Sequence, residues 1–338
     1  MTSPIVPASN CPRQATAFLD VIRRDLDAIE RNLHTTSSSE VHQVDAVGQH
    51  VLLAGGKRLR PACVVLAARS VSSAPPPERL VTVATALELV HTATLVHDDV
   101  VDNTRIRRGA ATANAVFGNG VAVLTGDFLL ARAVSILARE DDTRLIRTVA
   151  DITGAMSEGE VQQMVATGDP EVAEDAYYAM IRKKTATFIE GCCRCGAIVG
   201  NASSADEEAL VAYGQHLGLA FQITDDLLDY IGDPAETGKP VGGDLREGRA
   251  TLPLLYALRA AVDGKRNAIL EAFGNPAVQD PAIAFVVRSL RTLGAIDRTT
   301  EVAASHVRRA KEALQSLRPS PYRDSLEQLA DYVIGRDR

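Results

Sequence analysis

The stretch LVTVATALELVHTATLVHDDVVD, residues 80–102, decides the fold. Apolar and small side chains fill every position up to His97 except for Glu88, His91 and a few threonines, so a helix here belongs in a core and not on a solvated surface. It closes on Asp98, Asp99 and Asp102. Asp98 and Asp102 are four apart, which puts them on one helical face about a turn from each other, where both can reach one bound ion.

The pattern occurs a second time. FQITDDLLD, residues 221–229, ends another apolar run in Asp225, Asp226 and Asp229. A single acidic helix end is usually just solvated, but two copies on two core helices call for cations. Two unit charges ~4 Å apart repel by roughly 4 kcal/mol at an effective dielectric of ~20. Every donor is a hard carboxylate oxygen, which selects Mg²⁺ or Mn²⁺ over zinc.

Basic, glycine-rich segments accompany the acidic ones. Gly55-Gly56-Lys57-Arg58-Leu59-Arg60-Pro61 precedes the first motif, and Asn103-Thr104-Arg105-Ile106-Arg107-Arg108-Gly109 follows it. Gly238-Lys239 leads to Asp244, Arg249 and Thr251 after the second. Glycines let backbone N–H groups approach an anion, and arginine grips phosphate oxygens through paired hydrogen bonds. A diphosphate carried on metal and held by Arg and Lys is a good leaving group, because its developing charge meets preorganised positive charge. No Ser/His/Asp arrangement is evident by motif.

Helical periodicity runs through most of the 338 residues, strongest over 16–33, 80–101, 120–138, 144–164, 176–199, 207–230 and 252–261. Alternating strand-like runs are scarce, so the expectation is an all-α bundle in one domain over 1–338, with 1–15 a flexible leading segment. Net charge is −7, with no long basic stripe, which argues against a nucleic-acid partner. No unbroken apolar run reaches the roughly 18 residues of a membrane span, and the N-terminus lacks a signal pattern, so a cytoplasmic protein is expected. Three of five cysteines crowd into Cys192, Cys193 and Cys195. No second Cys or His pair completes a zinc ligand set, and they read as small helix-packing residues. His97 likewise reads as a packing or capping residue.

In this order, GGKRLRP, HTATLVHDDVVD, RRG, GDFLLARA, GEVQQ, KTA, FQITDDLLD and GKPVGGD resemble the trans-isoprenyl diphosphate synthases, above all the long-chain octaprenyl and solanesyl members. The resemblance implies a homodimeric helical bundle around a deep cavity, with three Mg²⁺ ions between the acidic motifs. It makes Asp98, Asp102 and Asp225 direct ligands. Asp99, Asp226, Asp229 and Asp244 would bind through water or orient ligands, with Gln163 a further polar group. Lys57, Arg60, His91 and Arg108 would hold isopentenyl diphosphate, while Arg107, Lys184 and Lys239 would hold the allylic diphosphate, from farnesyl or geranylgeranyl. Thr185 and Gln222 would face the developing carbocation. Arg249 stands where many relatives carry Lys, which keeps the charge but changes the reach of that phosphate contact.

The implied reaction ionises the allylic C–O bond. The isopentenyl double bond attacks the cation, and the departed diphosphate removes a proton. Ala93 and Thr94, just upstream of Asp98, would set chain length at about C40, suited to quinone side chains, with a floor near Leu137. The rivals are a short-chain synthase, a terpene cyclase and a non-catalytic subunit of a heteromeric synthase. The all-aspartate second motif and the absence of Trp weigh against a cyclase, and the six retained aspartates weigh against a non-catalytic subunit.

Overall fold

The computed structural model describes residues 17–53, 55–107, 109–233 and 240–335. Their regular secondary structure is helical apart from one two-stranded hairpin, Ile106–Arg107 paired antiparallel with Ala110–Ala111. The all-α expectation holds. The helices used below are α1 (Arg23–Thr36), α2 (His42–Leu53), α3 (Leu59–Val71), α4 (Pro77–Val101), α5 (Ala113–Phe117), α6 (Asn119–Ala138), α7 (Thr143–Ala166), α8 (Glu174–Ile181), α9 (Thr187–Val199) and α10 (Ser204–Ile231). Later helices are Gly243–Glu247, Leu252–Ala260, Asp263–Ala272, Asp280–Thr292, Ala295–Ala313 and Pro321–Gly335.

The chain divides into two compact units. One comprises Met1–Ala150, Cys192–Glu207 and Leu317–Leu326; the other comprises Asp151–Gly191, Glu208–Ser316 and Glu327–Arg338.

In the first unit α4 is the central helix, as its uniform apolarity requires. Pro77 opens it where a missing N–H costs nothing. Leu80, Val83, Leu87, Leu89, Val90 and Val96 are buried, and α1, α3 and α6 pack around it. Glu88 is buried in this apolar setting and is neutralised by Arg58, whose Nη1 donates to Glu88 Oε1 at 2.9 Å. Cys192, Cys193 and Cys195 are buried and not disulfide-bonded, in accord with the packing reading. Gly196 lets α9 approach α3, since a Cβ there would fall 2.4 Å from Val64 O.

In the second unit Tyr177, Ile223, Tyr230, Leu254, Val286 and Leu290 join one apolar core. His216 of α10 and His306 sit on its flank, their Nδ1 atoms 3.1 Å apart. Burial, the other imidazole and Arg309 hold His306 down at about 4, and burial with Arg309 lowers His216, while Glu312 opposes the latter shift. The unfolded chain takes up these protons near pH 6.5 and the folded chain only lower down. Their contribution to stability is therefore present above about pH 6.5 and is lost as pH falls towards 4. Thermal melts across this window should show a falling midpoint, and His306→Phe should flatten that fall.

Candidate active site

The first acidic set lies in the first unit. Asp98 and Asp99 occupy the last turn of α4, and Asp102 is its C-cap. Unpaired carbonyls already leave partial negative charge at that end, so three carboxylates there are the reverse of what a solvated helix favours. A bound cation would reconcile them. Asp99 is buried, its Oδ1 accepts from Arg107 Nε at 2.7 Å, and its carbonyl accepts from Asn114 Nδ2 at 3.0 Å. Burial pushes the Asp99 carboxyl up, against the pull of Arg107 and with a push from Asp102. Asp98 is half-buried and Asp102 exposed.

The basic loop before α3 divides its cations between two tasks. Arg58 takes a left-handed backbone, φ +49°, and its guanidinium grips both oxygens of Glu30 at 2.9 Å in addition to Glu88. It is a structural clamp, because breaking a buried pair from one side costs roughly 3–5 kcal/mol. Arg60 Nη1 stands 3.0 Å from His91 Nε2, so two residues assigned to one diphosphate are brought together. Lys57 is exposed. A pocket opens beside them, lined among others by His50, His91, Thr92, Leu95, Asp99 and Arg107. Arg108 and Lys239 lie outside the described residues.

His97 packs against α6. Its Nε2 is 3.1 Å from Val123 O, and a Cβ on Gly126 would fall 2.4 Å from the same nitrogen. Ala93 and Leu137 are buried, and Thr94 Oγ1 donates back to His91 O at 2.9 Å.

The second acidic set closes α10 in the second unit, again at a helix C-terminal end. Asp226 is buried and doubly held: Tyr177 OH donates to Oδ2 at 2.6 Å, and Gln222 Nε2 to Oδ1 at 2.8 Å. Burial raises its carboxyl to about 6, against those two hydrogen bonds, with Asp225 and Asp229 adding. Asp229 accepts the Gly243 and Asp244 amides at 3.1 and 3.0 Å. Burial and Asp229 push Asp244 well up. Asp225 is half-buried. Asp226 and Asp229, the two aspartates that follow it in the motif, are thus tied to protein donors.

Among the described residues no three His, Cys, Asp or Glu side chains form a closed metal cage. Such open carboxylate sets suit Mg²⁺, which keeps several waters and takes one or two carboxylates together with substrate phosphates. The donor chemistry fits.

Lys184 and Thr185 sit on a π-helical turn, Arg182–Ala186, between α8 and α9. Lys184 Nζ donates to Gln163 Oε1 at 3.0 Å and pairs with Glu160 Oε2 at 2.7 Å. Thr185 Oγ1 donates to Gln222 Oε1 at 2.7 Å. Arg249 pairs with Glu247 at 2.8 Å and lies 3.9 Å from Asp244. A second pocket is lined by Gln163, Lys184, Gln222, Asp226, Asp244 and Arg249 among others. Glu160 and Tyr177 were not singled out by sequence reasoning. Glu160 stood within GEVQQ, whereas Tyr177 carries no local signal.

Gly159 lets α7 touch the π-turn, since a Cβ there would fall 2.7 Å from Lys184 N. Gly159→Ala must shift the turn and with it Lys184. Condensation should slow by about tenfold to a hundredfold with helix content retained, measured by steady-state kinetics beside circular dichroism.

Comparison with known proteins agrees. Residues 41–290 match the polyprenyl synthetase family model. The octaprenyl diphosphate synthase of Escherichia coli is 36% identical over 323 residues, covering 94% of this chain and 98% of that one. A short chain isoprenyl diphosphate synthase of Methanothermobacter thermautotrophicus is 34% identical over 324 residues, covering 94% and 98%. The crystal structure of a decaprenyl diphosphate synthase from Rhodobacter capsulatus superposes with a TM-score of 0.89 at 36% identity, covering 96% and 99%. Ordered motifs, a helical fold and carboxylate sets paired with cations thus converge: the chain belongs to the polyprenyl synthetase family and is a prenyltransferase, a trans-prenyl diphosphate synthase.

Proposed function

We propose that the chain elongates farnesyl or geranylgeranyl diphosphate with isopentenyl diphosphate to an all-trans product of about C40, destined for quinone side chains. The observation that carries the long-chain reading is α4 itself. Upstream of Asp98 its buried positions Val90, Ala93 and Leu87 include no aromatic to stop a growing tail.

Asp98, Asp102 and Asp225 supply ligands for three Mg²⁺, with Mn²⁺ able to substitute. When bound, the ions neutralise the diphosphate and ease its departure. Arg60 and His91, with Lys57 and Arg108, hold isopentenyl diphosphate; Arg107, Lys184, Lys239 and Arg249 serve the allylic diphosphate. Thr185 and Gln222 turn oxygen atoms towards the cation. The whole chain works as one catalytic domain, in the cytoplasm, as a homodimer. The surface of α6 supports the dimer, since Leu124 is 67% and Val134 40% exposed on a helix whose mean hydropathy reaches 1.8.

The purified chain alone should release one diphosphate for each isopentenyl unit added, only with Mg²⁺ or Mn²⁺ present. No release until a second, different subunit is supplied would favour the heteromeric reading instead.

A further inference from the structure

Four side chains of the second unit form an unbroken hydrogen-bonded row. Tyr177 OH donates to Asp226 Oδ2 (2.6 Å), Gln222 Nε2 donates to Asp226 Oδ1 (2.8 Å), and Thr185 Oγ1 donates to Gln222 Oε1 (2.7 Å). The polarity of such a row is chosen by the member that cannot do both. A threonine hydroxyl donates or accepts, and an amide flips to suit either neighbour. An ionised aspartate has acceptors alone, and with one oxygen taken by the tyrosine hydroxyl it presents the other to Gln222. Gln222 must then offer its NH₂ to Asp226 and its oxygen to Thr185, and the Thr185 hydrogen is drawn onto that oxygen. The hydroxyl lone pairs are left uncommitted by the row.

We propose that Tyr177 is a positioning residue for the reaction: by holding Asp226 it locks the Gln222 amide in one flip, so that Gln222 and Thr185 present oxygen and not N–H to the cationic carbon. The inference rests on the reading of Gln222 and Thr185 as the groups facing that carbon. With the wrong flip, an amide N–H would oppose the developing positive charge at the moment when a fixed negative dipole is most useful. Tyr177 itself is fully buried.

Tyr177→Phe removes the donor and keeps the ring. The single-turnover condensation rate should fall about tenfold, with an unchanged KM for isopentenyl diphosphate and an unchanged Mg²⁺ concentration for half-maximal rate. In a Gln222→Leu background the same change should cost nothing further, because the amide it acts through is gone. Two losses that multiply, or a rate restored by higher Mg²⁺, would overturn the inference, the second by placing the effect on the ion. A readout independent of turnover separates this from the functional reading. The labelled Gln222 side-chain amide should be protected from solvent exchange in the wild type and lose that protection in Tyr177→Phe; unchanged protection overturns the lock even if the enzyme elongates. A wild-type chain that fails to elongate overturns the functional reading instead. If Tyr177→Phe does not fold, 3-fluorotyrosine at 177, which keeps the ring and strengthens the donor, should alter the rate in the wild type and not in Gln222→Leu.

Discussion

Asp98→Ala and Asp225→Ala each lower the condensation rate by at least about a thousandfold while the helical spectrum survives. A thousandfold corresponds to about 4 kcal/mol of barrier, the scale of a lost contact to departing charge. Both residues are half-buried near helix C-terminal ends, where removing a carboxylate relieves like-charge repulsion. Asp229→Ala differs. It removes the acceptor for the Gly243 and Asp244 amides and should cost stability as well as rate. Turnover at saturating Mg²⁺ beside thermal melts distinguishes the two kinds of loss. Near wild-type turnover in either of the first pair would sink the assignment of ligands.

Ala93→Tyr shortens the product towards C15 or C20 without abolishing the first condensation. Ala93 lies five residues before Asp98 on an unbroken α4, and from Asp98 to Leu87 that helix descends roughly 16 Å at 1.5 Å per residue. A tail threading this length passes Ala93 early, and a tyrosine ring there closes the path. Ala93 is buried, so the ring must also find room, and overpacking of this kind costs about 1–3 kcal/mol. Chromatography of dephosphorylated products reads the outcome. An unchanged length distribution in an active variant would show that this wall is not the ruler.

The parts of the site legible in the sequence are those written in local pattern. α4 and α10 announce themselves because an apolar run ends abruptly in aspartates, and the structure carries both helices to within a few residues of the expected ends. The π-turn at Arg182–Ala186 was not legible: residues 176–199 read as one helix, and the irregular turn coincides with the close approach at Gly159, far away in sequence. Arg58 shows the same limit. Its neighbours made it look like part of an anion grip, but Glu30 and Glu88, brought from α1 and α4, make it a clamp. The helix expected from residue 16 begins as a 3₁₀ segment, Ala17–Ile22, before α1. Ala295–Ala313 escaped the strongest periodic segments because its charged outer face leaves only a narrow apolar stripe of Ile296, Ala303 and Val307.

The central claim is elongation to a long chain, and one incubation tests it. The pure protein is given labelled farnesyl diphosphate, excess isopentenyl diphosphate and Mg²⁺, and the dephosphorylated products are sized by chromatography. A principal product near C40, within C30 to C50, is the predicted result; termination at C15 or C20, or no extension of the starter, would contradict it.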